Sequence, residues 1–327
     1  MPVAALLLLL LLAGAAVPAS ARAGERLEVN ALEYPWSAIG RLNAGGQAHC
    51  SGVLVGERSV LTAAHCLYSQ HGRRWWLASE LHFVAGYQRG AFPLHSPVKA
   101  MTAADGYVAS EHPEPAAESN DWALLELAEP IGRQAGWLGI EPLTTETETR
   151  MHRQGIPVVL AGYRLDRAQI ITIDPHCGLL GFFPDSRVVA HGCNALHGDS
   201  GGPLLSFESG EARVIGLHII TVTTTDTKTG AERKIGGAIP STVLTDGHTW
   251  PRAAAAVAAA GLRLPSAGRT PAPGGPAATV PTATVAALLR LSGGGPIEAF
   301  QRAHGLPVTG TASVALLAQL LNQGGVR

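Results

Sequence analysis

Gly198-Asp199-Ser200-Gly201-Gly202-Pro203, running into the apolar pair Leu204-Leu205, is the stretch on which the reading of this chain turns. A serine stands among three glycines. Glycine has no Cβ and tolerates unusual backbone angles and close approach. Around a serine, that freedom can expose the hydroxyl and aim neighbouring amides at one point, where they can hold a developing oxyanion. The same residues also read as a Gly-rich turn entering a strand. Two upstream segments separate these readings.

A serine hydroxyl is a weak nucleophile. It needs a histidine to take its proton and an acid to orient that histidine. Of the thirteen histidines, His65 stands out, in Leu61-Thr62-Ala63-Ala64-His65-Cys66. It ends an apolar strand beside a cysteine, and a disulfide there would hold its backbone in place. A histidine that merely packs at a barrel turn is the competing reading. The acid is Asp121, in Ser119-Asn120-Asp121-Trp122-Ala123-Leu124-Leu125. At the head of an apolar strand it can cap the turn, or it can face His65 and fix the imidazole tautomer. Asp105, Asp166 and Asp174 lie in less specific surroundings. Catalysis requires His65 Nε2 within about 2.6–3.2 Å of Ser200 Oγ, or somewhat looser without substrate.

Many short strand candidates, separated by Gly, Pro and Asp, fill residues 35–238 with no long helical stretch between them. That pattern predicts an all-β barrel or sandwich rather than βαβ units. After about residue 250 the composition changes. Ala253 to Ala260 suits a short helix, and Pro265 to Pro281 is too rich in Pro, Gly, Ala and Thr to build a core. Three further apolar-faced segments, Val285 to Leu289, Pro296 to His304 and Thr311 to Leu320, predict a small helical unit that is marginal by itself.

The first residues read as a targeting segment. Leu6 to Leu12 lie within an apolar run from Ala4 to Ala13, and Ala21-Arg22-Ala23 gives an A-x-A cleavage signal after Ala23. The run is short for a membrane span, and none follows it. With 24 Lys+Arg against 25 Asp+Glu, charge does not point to nucleic acid or an anionic membrane as partner. Export makes the four cysteines disulfide candidates. Among three connectivities the local pairs Cys50–Cys66 and Cys177–Cys193 are the simplest, each worth about 3 kcal/mol by loop entropy. A metal is the competing use of these cysteines, but their spacing is not a zinc-ribbon pattern. No metal and no cofactor are expected.

Together, Thr62-Ala63-Ala64-His65-Cys66, Asn120-Asp121-Trp122-Ala123-Leu124-Leu125 and Gly198 to Pro203 resemble the trypsin/chymotrypsin-like serine endopeptidases, in the same His…Asp…Ser order. The resemblance covers about residues 30 to 250. It implies two six-stranded antiparallel β-barrels, hence an all-β fold with a small C-terminal three-helix domain. It implies a His65–Asp121–Ser200 triad acting on protein or peptide substrates through an acyl-enzyme, and an oxyanion hole at the amides of Gly198 and Ser200. It also implies Cys50–Cys66 as the histidine-loop disulfide. There is no Ile-Val-Gly-Gly start, so Asp199 needs a partner other than a new amino terminus, or an amide network. Asn194 stands six residues before Ser200 and argues against Arg/Lys selectivity.

Asp174-Pro175-His176-Cys177 with His191-Gly192-Cys193-Asn194 is closer to the bacterial glutamyl-endopeptidase-like branch. There, His218 with Asn194 and Ala195 would form the substrate pocket and take a P1 carboxylate. Ala195, however, lacks the hydroxyl often found at its place in that branch. Glu298 to Gly310 resembles the heart of a peptidoglycan-binding domain, with Phe300 as core. The expected organisation is a signal peptide at 1–23, a protease domain at 27–260, a linker at 261–281 and a peptidoglycan-binding-like domain at 282–327. The setting would be secreted or periplasmic, bacterial and wall-associated. The alternative is a non-catalytic wall-binding protein that kept the protease fold. Its mark would be a broken triad, and His65, Asp121 and Ser200 are all present.

Overall fold

The computed structural model describes residues 26–109, 117–225, 229–245 and 280–323. The signal segment, the Ala253 to Ala260 helix and nearly all of the 261–281 linker lie outside them.

After a short β1 (Leu27–Glu28), the strands β2 (Ile39–Ala44), β3 (Ala48–Leu54) and β4 (Ser59–Thr62) follow in hairpin order. A small hairpin, β5 (Tyr68–Ser69) with β6 (Arg74–Trp75), precedes β7 (Leu81–Ala85), β8 (Leu94–Ala103) and β9 (Ala123–Leu127). The order β2-β3-β4-β9-β8-β7 closes into a six-stranded barrel, β7 pairing back onto β2. The start of β8 shows why it sits there: Leu94, Ser96 and Val98 are buried while His95, Pro97 and Lys99 face out, the period-2 pattern of a half-buried strand.

The second half departs from the expected second barrel. After α1 (Gly132–Ala135), β10 (Gly139–Ile140) and α2 (Thr145–Gln154) come β11 (Val158–Gly162), β12 (Thr172–Cys177), β13 (Leu179–Phe182), β14 (Val189–His191), β15 (Pro203–Ser206), β16 (Arg213–Thr225) and β17 (Glu232–Pro240). They form an open nine-stranded sheet in the order β1-β12-β11-β15-β16-β17-β14-β13, with β10 parallel on β16. β1 takes the outer edge of β12, Leu27 opposite Ile173 and Glu28 opposite Thr172. β13 pairs only with β14, at the far end, and the sheet does not close. Two six-stranded barrels are therefore not what this chain builds.

The all-β expectation is corrected as well. α2 carries explicit start and stop signals: Thr144 Oγ1 accepts the Thr147 amide at 3.1 Å, acids occupy the first turn, and Gly155 ends it in the left-handed region at φ 63°. Periodicity missed it because the sequence Thr-Glu-Thr-Glu-Thr-Arg-Met-His-Arg-Gln has one large apolar residue, Met151. A short α3 (Ser241–Thr245) follows β17.

The C-terminal helices form as expected: α4 (Thr282–Leu291), α5 (Ile297–Ala303) and α6 (Val314–Gln323). They do not stand alone. Val285, Leu288, Leu317 and Leu321 join one apolar core with Trp36 and Phe207. The Glu33 carboxylate caps α4 from outside, accepting the Ala283 amide at 2.8 Å and the Thr284 hydroxyl at 3.2 Å. Trp36 Nε1 donates to Thr284 Oγ1 at 3.0 Å, and Asn322 Nδ2 to the Phe207 carbonyl at 3.0 Å. Docking supplies the burial that so small a unit lacks by itself. Phe300 is half-buried, its ring 4.3 Å from that of His304.

Candidate active site

β4 ends at Thr62, whose register partner on β9 is Ala123. The two chains diverge there, β4 running on to His65 and β9 coming from Asp121, so strand pairing sets these side chains face to face. His65 rides a 3-10 turn, Ala64–Leu67, and its neighbour Cys66 is bonded to Cys50 on β3. His65 Nδ1 lies 2.6 Å from Asp121 Oδ2, and the His65 amide donates to Asp121 Oδ1 at 2.8 Å. Burial pushes the His65 imidazolium down, but the charge and hydrogen bond of Asp121 outweigh it, leaving the pKa raised. Glu118, three residues before Asp121, is also buried. Its carboxyl is pushed up to about 7, first by burial and then by Asp121.

Ser200 comes from the turn leading into β15. Gly198 holds φ +92°, and a Cβ there would meet the Tyr163 carbonyl at 2.4 Å. Gly201 holds φ +77°, and its Cβ would meet Thr62 Oγ1 at 2.2 Å, so the turn sits directly against the barrel strand that leads to His65. Ser51 of β3 fastens the turn: its amide donates to the Ser200 carbonyl at 2.8 Å and its hydroxyl to the Gly198 carbonyl at 2.7 Å. From the other side the Gly201 amide donates to the His218 carbonyl at 2.7 Å. Cys66 Sγ lies 3.9 Å from the Ser200 carbonyl oxygen.

His65, Asp121 and Ser200 line one cavity of about 510 Å³, together with Ala195, His218, Thr221 and Lys234. Among the described residues no hydrogen bond joins Ser200 Oγ to His65 Nε2. Such contacts are often long without substrate and tighten when it binds. Asn194 is not brought to the cavity wall. Its carbonyl accepts Arg26 Nη1 at 3.3 Å and its amide donates to Asp174 Oδ2 at 2.8 Å. Cys177 and Cys193 are bonded, pinning this segment to β12. Among the described residues the one group of possible metal donors is Cys50, His65 and Cys66, and the disulfide leaves it no thiolate.

Behind His218 lies His191, which the sequence did not single out as a site residue. Its Nε2 is 3.0 Å from His218 Nδ1. The Cys193 amide donates to His191 Nδ1 at 3.3 Å, so neutral His191 carries its proton on Nε2 and donates to His218. His218 is thereby fixed with its proton on Nε2, 3.3 Å from the Thr221 hydroxyl at the cavity wall. Burial first, then neighbouring positive charge, lowers both pKa values, that of His191 to about 3, so both rings are neutral. The remaining open question from the sequence was the partner of Asp199. It is Arg26, whose Nη2 lies 3.0 Å from Asp199 Oδ1 with both side chains buried. Burial pushes the Asp199 carboxyl up and the Arg26 guanidinium down, each opposed by the other's charge. Neither Ser51 nor Arg26 carries a local sequence signal, because each acts through a contact more than 140 residues away.

A family model described as Trypsin matches residues 25–246. Serine protease 56 of Homo sapiens is 28% identical over 198 residues, 54% of this chain and 30% of that protein. Glutamyl endopeptidase of Bacillus licheniformis is 24% identical over 225 residues, 69% of this chain and 66% of that protein. The chain thus spans under a third of the first and just under two thirds of the second. A solved structure of a Glu endopeptidase aligns at TM-score 0.49 and 18% identity, over 67% of this chain and 93% of that one, too loosely to bear on the argument.

Proposed function

The chain belongs to the trypsin family, and on that footing we propose that it is an exported serine endopeptidase with Ser200 as nucleophile, His65 as base and Asp121 as orienting acid. The observation that carries this reading is the 2.6 Å contact between His65 and Asp121 at the cavity Ser200 also lines. In the proposed cycle Ser200 Oγ attacks the scissile carbonyl while His65 Nε2 takes its proton. Asp121 stabilises the imidazolium, and the amides of Gly198 and Ser200 receive the oxyanion. Collapse of the tetrahedral adduct expels the amine, which takes the proton from His65. Water, deprotonated by His65, then hydrolyses the acyl-enzyme ester.

The same cavity supports a preference for an acceptor side chain at P1, glutamate first. The His191–His218 relay points one neutral N–H at the cavity wall, and Lys234 adds a cation to the lining. A P1 scan tests both parts of the reading. Cleavage of Glu substrates well above Gln and Leu, lost in Ser200→Ala, is expected. Equal rates on all three would end the Glu preference, and hydrolysis that survives in Ser200→Ala would end the nucleophile assignment.

Recruitment to the cell wall through residues 282–327 rests on the resemblance of Glu298 to Gly310. Within that stretch Gln301 braces the turn, its Oε1 accepting the amides of Thr309 at 2.9 Å and Gly310 at 3.0 Å. Co-sedimentation of the full chain with insoluble peptidoglycan tests this; a chain that stays in the supernatant would contradict it.

A further inference from the structure

Asp199 is buried one residue before the nucleophile, between the two residues whose amides are assigned to the oxyanion. A buried carboxylate must be paired, neutralised or released to water. Asp199 is paired on both oxygens: Oδ1 with Arg26 Nη2 at 3.0 Å, Oδ2 with the Leu196 amide at 3.0 Å. Arg26 is held in turn. Its Nε donates to Thr172 Oγ1 at 3.1 Å, its Nη2 to the Thr172 carbonyl at 2.8 Å, and its Nη1 to the Asn194 carbonyl at 3.3 Å. One planar guanidinium therefore ties Asn194 and Asp199, near the two ends of the turn that precedes Ser200, to β12. Only a forked donor makes that set of contacts.

Sheet register explains how Arg26 arrives there. β1 pairs with β12 through Leu27 and Ile173, and Glu28 and Thr172, which leaves Arg26 at the end of the ladder beside the 194–199 turn. Side-chain relative exposures of 2% for Arg26 and 0% for Asp199 show that water does not share the charge. If the cation were removed, Asp199 would have to turn outward or take up a proton. Turning outward would carry the Asp199–Ser200 peptide, which holds the Ser200 amide, and would twist the turn at Gly198, whose amide lies in the adjoining His197–Gly198 peptide.

We propose that Arg26 is a positioning residue for the oxyanion hole, an internal cation that locks the turn before Ser200 without help from a free amino terminus. The proposal rests on the endopeptidase reading of Ser200. It implies that the turn is set by folding rather than by a cleavage that liberates an ammonium near residue 26.

The test compares the processed chain, the same chain with a short uncharged extension ahead of residue 24, and Arg26→Gln and Arg26→Lys, with folding checked by near-UV circular dichroism. Hydrolysis of a peptide amide is measured as kcat and KM separately. The expected result for folded Arg26→Gln is a kcat about a hundredfold or more lower, the scale of losing an oxyanion donor. KM should stay within about threefold, since ground-state binding is not what is lost. Arg26→Lys keeps the charge but not the fork and should fall between the two. The extended chain should keep its kcat. Folded Arg26→Gln with unchanged kcat, or loss of activity on extension, would overturn the proposal while the unmodified enzyme still turned over. If Arg26→Gln does not fold, Arg26→Lys decides: lowered kcat at unchanged KM supports the proposal and unchanged kcat overturns it. An inert unmodified chain would overturn the endopeptidase reading and this proposal with it.

Discussion

The two carboxylate oxygens of Asp121 are divided between two nitrogens of one residue, Oδ2 2.6 Å from His65 Nδ1 and Oδ1 2.8 Å from the His65 amide. That double contact fixes both the ring and the backbone beneath it. It leaves Nε2 as the ring nitrogen not engaged by Asp121, on a residue that lines the same cavity as Ser200.

Asp121→Asn keeps the shape but can donate to Nδ1 and so favour the wrong tautomer. Its kcat should fall about 10³–10⁴-fold at pH 8, with the fold retained. Steady-state hydrolysis beside a thermal melt checks this. A loss under tenfold would mean that Asp121 does not set the tautomer.

The pH profile should carry the mark of Glu118. The proposed base, His65, can take a proton only when neutral, so kcat/KM should fall as pH drops through its pKa, which Asp121 holds above the usual 6.5. Glu118, pushed up to about 7, becomes anionic above that pH and then helps hold the proton on His65. Glu118→Gln removes that charge, so His65 should lose its proton more readily and the acid limb should move to lower pH. A limb that stays in place, or moves up, would contradict the electrostatic link.

Ser51→Ala should be costly in two ways. The buried hydroxyl donates to the Gly198 carbonyl and accepts the Tyr163 amide at 2.8 Å, and both lose their partner. A loss of about 1–3 kcal/mol is expected in denaturant unfolding, together with a lower kcat as Gly198 loosens. A stable variant with full kcat would show that Ser51 does not brace the turn.

Glu33→Ala removes the external cap of α4 and leaves the Thr284 hydroxyl and the Ala283 amide without their acceptor. Unfolding should become easier by about 0.5–2 kcal/mol, the usual worth of a cap, with kcat little changed because Glu33 is not among the cavity residues. An unchanged melting temperature would mean that the C-terminal helices are not held by this contact.

How much of this was legible beforehand follows from how local each signal is. His65, Asp121 and Ser200 sit in short segments whose composition singles them out as candidates, and the bonded cysteine pairs are the simplest of the three connectivities that spacing left open. α2 was invisible because its signals lie in caps and charges rather than in apolar periodicity. That the second sheet stays open could not be read, since strand order rests on pairings between distant segments, such as β1 on β12 across more than 140 residues. His191 was missed for a related reason: only β14 pairing with β17, and β17 with β16, brings it against His218. Asn194 is a pocket candidate by its distance from Ser200 in sequence; what no local signal announces is that its backbone is held by Arg26 and Asp174.

Activation of Ser200 by His65 is the step on which the proposed hydrolysis depends. Covalent labelling of the oxidised, processed chain with a fluorophosphonate tests it most directly. One adduct is expected, mapped to Ser200, absent in Ser200→Ala and strongly suppressed in His65→Ala. No adduct on the correctly oxidised chain, or an adduct that persists in Ser200→Ala, would contradict it.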